Sequence, residues 1–122
     1  MCGLAGILSY VTGHRTEPSS LERMMARLRH RGPDDAGIHL DGEFGVGVRR
    51  LSILDLDGGH QPIANEDRTV VAALNGEIYN YRALKAELSA KGYRFRTNCD
   101  TEVVLRSYEA YGPKCFETFD GM

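Results

Sequence analysis

The chain opens MCGLAGILSY, with a cysteine directly behind the initiator methionine. Removal of Met1, which a small second side chain permits, would make Cys2 the first residue and set its own α-amine beside its thiol. A thiol attacks as the thiolate, and an ordinary cysteine, with a pKa of about 8.5, is mostly protonated at neutral pH. An α-amine titrates at roughly 7.7 to 8.0, so it could take the thiol proton and later return one. Nucleophile and base would then share one residue, the thiol counterpart of an N-terminal threonine. The plain alternative is a small buried cysteine near a chain end, and position alone favours that alternative.

Three further stretches carry candidate chemistry. In NGE, residues 75–77, the Asn75 side-chain amide and a neighbouring backbone N–H can converge on one point, as a developing oxyanion requires. The alternative there is a plain Asn-Gly turn. Arg50, at the end of GVGVRR, has the planar fork that grips a carboxylate, and on an extended strand only one of Arg49 and Arg50 can face inward. Asp100 could hold an ammonium group or serve as a simple helix cap. Arg50 and Asp100 together would read the two charged ends of a free amino acid. His14, His30, His39 and His60 show no metal-ligand spacing and read as loop or turn residues, so no metal site is expected. The glycines of GEFGVGVRRL lack the order of a nucleotide loop.

The elements that must position these groups alternate in type. An apolar strand spans residues 4–11 and holds Cys2 at a sheet edge. A helix begins at Ser19, capped in a box with Glu22, with Leu21, Met24, Met25 and Leu28 on one face, and stops at RHRGPDD. Short hairpin strands turn about Asp41-Gly42. TVVAAL, residues 69–74, reads as a continuous buried strand delivering the chain into NGE. Asn80 caps a second helix with Tyr81, Leu84 and Leu88 inward and Gly92 at its end. YRFRT alternates like a strand, and a third helix carries Asp100 and Glu102 in its first turn, where the helix dipole favours negative charge. The order implies sheets covered by helices.

At 122 residues the chain has the size of one domain. With 15 Lys and Arg against 17 Asp and Glu it has no basic field for nucleic acid or anionic lipid. Three widely spaced cysteines, an odd number, make neither a disulfide framework nor a zinc motif and point to a reducing compartment. No apolar run is long enough for a membrane span or a signal core, so a cytoplasmic location is expected. The aromatic ending CFETFDGM reads as an unfinished pattern, which predicts a longer parent protein.

MCGLAGI, RHRGPDD (29–35), RRLSILDL (49–56), QPIANED (61–67), NGEIYNY (75–81) and NCDTEVVL (98–105) occur in order along the whole chain. Together they resemble the N-terminal class II glutamine amidotransferase domain of glutamine-hydrolysing asparagine synthetase. The set favours the nucleophile over the ordinary cysteine at Cys2, and the oxyanion site over the plain turn at Asn75. The resemblance implies an α+β fold, the four-layer αββα N-terminal-nucleophile hydrolase sandwich, incomplete at its C-terminal end and covering residues 1–122.

It implies that Cys2 attacks the glutamine side-chain amide while Asn75 and the Gly76 N–H hold the oxyanion. Arg50, with the backbone of Leu51, Ser52 and Ile53, would hold the α-carboxylate, and Glu77 and Asp100 the α-amine. No cofactor is expected in this domain. An ATP- and Mg2+-dependent synthetase domain would follow it and amidate aspartate with the ammonia, and a homodimer stays open. Related amidotransferases feed other acceptors, and a glutamine-binding module or an inactive fragment are the competing readings; binding alone would need Arg50 and Asp100 but no free N-terminal cysteine.

Overall fold

The computed structural model describes residues 2–11, 13–52 and 58–122. They form a mixed α/β chain with three α-helices and two small antiparallel sheets among the described residues. The backbone divides into two compact units.

The first unit comprises Met1–Ser52, His60–Pro62 and Ala73–Asn75. Its sheet holds β1 (Gly3–Leu8), β2 (Asp35–Asp41) and β3 (Phe44–Arg50) in the order β1-β3-β2. Gly3 pairs with Arg49 and Leu8 with Phe44, while Asp35 pairs with Arg50 and Asp41 with Phe44. The N-terminal strand is shorter than residues 4–11: its ladder ends where β3 begins, Leu8 opposite Phe44, and past it only the Ser9 N–H still reaches across, donating to Glu43 O at 2.8 Å. It is also an edge strand whose residues alternate, with Ala5 buried and Leu4 and Leu8 exposed.

Helix α1 (Pro18–Arg27) lies on one face of this sheet, with Leu21 and Met25 buried against Ala5. Full burial of such a side chain contributes about 1.5 to 3 kcal/mol. Gly45 and Gly47 make room for the helix: a Cβ on Gly47 would sit 2.7 Å from the Met25 sulfur. That is the use of glycines that superficially suggest a nucleotide loop. The expected Ser19 capping box does not form. Pro18 occupies the first turn, where its fixed φ suits a helix start, so Glu17 becomes the cap residue and Ser19 lies inside the helix. Met24, expected inward, is exposed.

The second unit comprises Ile53–Gly59, Ile63–Ala72 and Gly76–Met122. Strands β4 (Ile63–Ala64) and β5 (Val71–Ala72) form a two-stranded ladder. The long buried strand expected over residues 69–74 is therefore reduced to two half-buried residues, since β4 offers only two partners. Helices α2 (Tyr81–Ala90) and α3 (Asp100–Tyr111) pack together, and a 3-10 helix, Gly112–Thr118, follows.

Leu84 and Leu88 form the buried face of α2 as expected. Its end is a Schellman motif: Tyr93 N–H donates to Leu88 O at 3.1 Å and Gly92 N–H to Ser89 O at 3.0 Å. Gly92 has φ +95°, which a side chain would oppose. YRFRT is not a strand. The N–H groups of Arg96 and Thr97 go to the Glu102 carboxylate instead of a neighbouring strand. No helix among the described residues is long and apolar enough to cross a membrane.

Candidate functional site

In the first unit, β1 ends its ladder at Gly3 and presents Cys2, half-buried, to the chain leaving β3. The Leu51 N–H points at Cys2 Sγ at 3.4 Å, and the thiol lies 3.8 Å from Leu51 O as a donor. Arg31 Nε donates to Cys2 O at 3.3 Å, which fixes the backbone next to the thiol from the other side. An open pocket of about 540 Å3, lined by His30, Arg31, Pro33 and Leu51, adjoins these groups.

Arg50 is 5% exposed and Arg49 half-buried, so the strand places the expected arginine inward. Arg49 is employed locally, its Nε donating to Gly32 O at 2.9 Å. The RHRGPDD turn braces the stretch after β3. Asp34 N–H donates to Arg50 O at 3.1 Å, and Ser52 N–H donates to Asp34 Oδ2 at 2.8 Å. Gly32 is required there because a Cβ would lie 2.2 Å from Arg49 O. Ile53, the last residue of the expected carboxylate-binding stretch, and Met1 lie outside the described residues.

The segment leading to Asn75 is held by Gln61, which is 6% exposed and accepts the Leu74 N–H at 2.8 Å through Oε1. Asn75 itself is exposed. The Asn-Gly pair is not a hairpin turn: β5 before it pairs with β4, and Ile78 after it bridges to Gly121. The chain does bend at Asn75 and Gly76, but the bend does not join two paired strands.

In the second unit Gly76 and Glu77 are half-buried and Asp100 is 5% exposed. Asp100 is the first residue of α3, and Cys99 holds the cap position, so the simple-cap alternative fails. Its Oδ2 accepts the Ile78 N–H at 3.0 Å, and its Oδ1 lies 3.5 Å from Cys99 Sγ. Burial raises the Glu77 carboxyl above the ordinary glutamate value, and the neighbouring Asp100 charge raises it further.

Glu102 has a role the sequence did not show. An acid in the first turn of a helix ordinarily faces solvent, yet Glu102 is fully buried. It accepts N–H groups from Arg96 at 3.0 Å and Thr97 at 2.7 Å, and the Thr97 hydroxyl at 2.7 Å. Arg106, one turn on, lies 3.6 Å from Glu102 and also binds Glu66 and Glu109. Its guanidinium holds the Glu66 carboxyl at about 2. The i, i+4 spacing of Glu102 and Arg106 is the signal that could have exposed this pair. His39, expected in a loop, lies within β2, and His60 Nδ1 meets Asp35 Oδ2 at 2.7 Å. Among the described residues no group of three or more His, Cys, Asp or Glu could hold a metal ion.

Within the first unit a half-buried thiol, the Leu51 backbone it faces and the buried Arg50 thus lie on adjoining strand ends. The chain belongs to the glutamine amidotransferase domain family, whose pattern it matches over residues 1–122. Among curated proteins it is 43% identical over 122 residues to asparagine synthetase [glutamine-hydrolyzing] of Zea mays, covering all of this chain and 20% of that protein. Asparagine synthetase [glutamine-hydrolyzing] 3 of Arabidopsis thaliana is 40% identical over 122 residues, again all of this chain and 21% of the relative. Asparagine synthetase [glutamine-hydrolyzing] 2 of Bacillus subtilis is 44% identical over 124 residues, all of this chain and 16% of the relative. The chain thus spans about one fifth of the length of these relatives.

Proposed function

We propose that the chain hydrolyses the side-chain amide of glutamine through Cys2 and supplies the ammonia to an asparagine-synthetase reaction. With Met1 removed, the α-amine takes the thiol proton and Sγ attacks the amide carbon. The carbonyl oxygen becomes an oxyanion held by the Asn75 side chain and the Gly76 N–H. The tetrahedral intermediate collapses, the carbon–nitrogen bond breaks, and the α-ammonium returns its proton so that nitrogen leaves as ammonia. Water then attacks the thioester carbon, giving up a proton to the amine, and glutamate leaves with restoration of the thiol.

Arg50 with the backbone of Leu51, Ser52 and Ile53 holds the substrate carboxylate, and Glu77 with Asp100 holds its ammonium. The ammonia amidates aspartate in an ATP- and Mg2+-dependent synthetase part, and the fold is the four-layer sandwich of N-terminal-nucleophile hydrolases in a cytoplasmic enzyme. The observation that carries this reading is Cys2 seated on the Leu51 backbone, immediately after the buried Arg50, in a chain whose family is glutamine amidotransferase. The experiment is glutamine-dependent ammonia release by the intact protein and its Cys2→Ala variant. Release by the first and none by the second is expected; equal release from both would refute the assignment.

A further inference from the structure

The residues proposed to hold the substrate ammonium do not stand on a free loop. Residues 77–79 are paired to residues 120–122 by backbone hydrogen bonds: Glu77 N–H to Met122 O at 3.0 Å, Met122 N–H to Glu77 O at 3.0 Å, and Tyr79 N–H to Asp120 O at 2.7 Å. Asn80 clamps the same segment. Its Nδ2 donates to Thr118 O at 2.9 Å, and its Oδ1 accepts the Asp120 N–H at 3.1 Å. Asn80 occupies the cap position of α2 but makes no side-chain cap bond, so this clamp is where its side-chain bonds lie.

Gly121 sits at the centre of the pairing, bridged to Ile78. A Cβ there would lie 2.2 Å from Glu77 O and 3.2 Å from Ile78 Cα, so any side chain must push the two backbones apart. The neighbour that would be displaced is the one whose N–H meets Asp100 Oδ2. The Glu77 backbone and the Asp100 carboxylate are therefore tied to one short ladder that closes only if residue 121 is glycine.

We infer that Gly121 and Asn80 are positioning residues for recognition of the substrate α-ammonium, acting through Glu77 and Asp100. This rests on the proposed glutamine hydrolysis. Neither touches substrate; each sets the spacing of two carboxylates whose charges must both reach one ammonium. A shift of the ladder weakens that recognition and leaves the attack by Cys2 to proceed on bound substrate.

The test compares kcat and KM of the intact protein for glutamine and for 4-carbamoylbutanoate, which is glutamine without its α-amine. Gly121→Ala and Asn80→Ala should each raise KM for glutamine about tenfold, the worth of a weakened charge-assisted contact, with kcat within about twofold. The preference for glutamine over the des-amino substrate should fall by the same factor. A merely structural role would lower kcat through lost folded protein and leave that preference intact, which would overturn the inference. Asn80→Ala inserts no atom, so it decides the matter if Gly121→Ala does not fold; failure of both to fold would also overturn it. A parent enzyme without any preference for the α-amine would overturn the functional assignment of Glu77 and Asp100 themselves, a result distinct from unchanged variants.

Discussion

The Cys2 thiol and the Leu51 peptide face each other, with the Leu51 N–H 3.4 Å from Sγ and its carbonyl oxygen 3.8 Å away. The thiol is thus held by backbone that cannot be removed by substitution, and a smaller side chain at position 2 leaves that backbone in place. Cys2→Ala should abolish glutamine hydrolysis while far-UV circular dichroism and the thermal midpoint stay close to the parent's. Loss of the folded signal along with activity would mean that the thiol is structural.

Asn75 is exposed in a segment held from behind by Gln61. If its amide meets charge only as the oxyanion forms, truncation slows the chemical step and spares binding. Asn75→Ala should lower kcat by about 10²- to 10³-fold with little change in KM, read from steady-state ammonia release. A rise in KM at constant kcat would place Asn75 in substrate binding alone.

The raised Glu77 carboxyl gives a pH dependence of defined sign. Ionisation is required to hold an ammonium, and a raised value means that protonation begins at a higher pH than for an ordinary glutamate. As pH falls through that raised value, KM for glutamine should climb, and Glu77→Gln should flatten this limb of the kcat/KM profile. For folding the sign is opposite in sense: the contribution of Glu77 is fully present below the unfolded value and is lost as pH rises through the folded one. An acid limb that survives unchanged in Glu77→Gln would assign it elsewhere.

Glu66 behaves in the other direction. The Arg106 hydrogen bond lowers its carboxyl from 4.5 to about 2, so its stabilising contribution is present above the unfolded value and is lost as pH falls toward the folded one. Its carboxylate is largely exposed, so the effect is modest and screened by salt. Urea midpoints measured from pH 5 down to about pH 2 should drop less steeply in Glu66→Gln than in the parent.

Glu102 is a different case, because it is fully buried. Glu102→Ala strips the acceptor from the Arg96 and Thr97 N–H groups and leaves Arg106 without its interior partner. The expected loss is about 3 to 5 kcal/mol of stability by chemical denaturation, since removing one member of a buried pair is costly. A loss within the range of a surface substitution would contradict the buried network.

The parts of the fold set by local chemistry were legible in the sequence: Leu21 and Met25 on the first helix, Leu84 and Leu88 on the second, the Gly92 stop, and the rule that only one of Arg49 and Arg50 turns inward. The candidate residues followed from motifs in order. What was not legible depends on which segment lies beside which. TVVAAL looks like a core strand until its ladder partner proves to be two residues long. YRFRT alternates like a strand, but the Glu102 side chain, six residues after Arg96 and five after Thr97, takes their N–H groups. The pairing of residues 77–79 with 120–122 is a long-range contact that no periodicity announces.

The most direct measurement is the intact mass of the purified protein before and after treatment with the glutamine-like electrophile 6-diazo-5-oxo-norleucine, with peptide mapping of the adduct. The expected result is a chain lacking Met1 and one adduct on the Cys2 sulfur, absent in Cys2→Ala. Retained Met1 together with no adduct, or an adduct on Cys99 or Cys115, would contradict it.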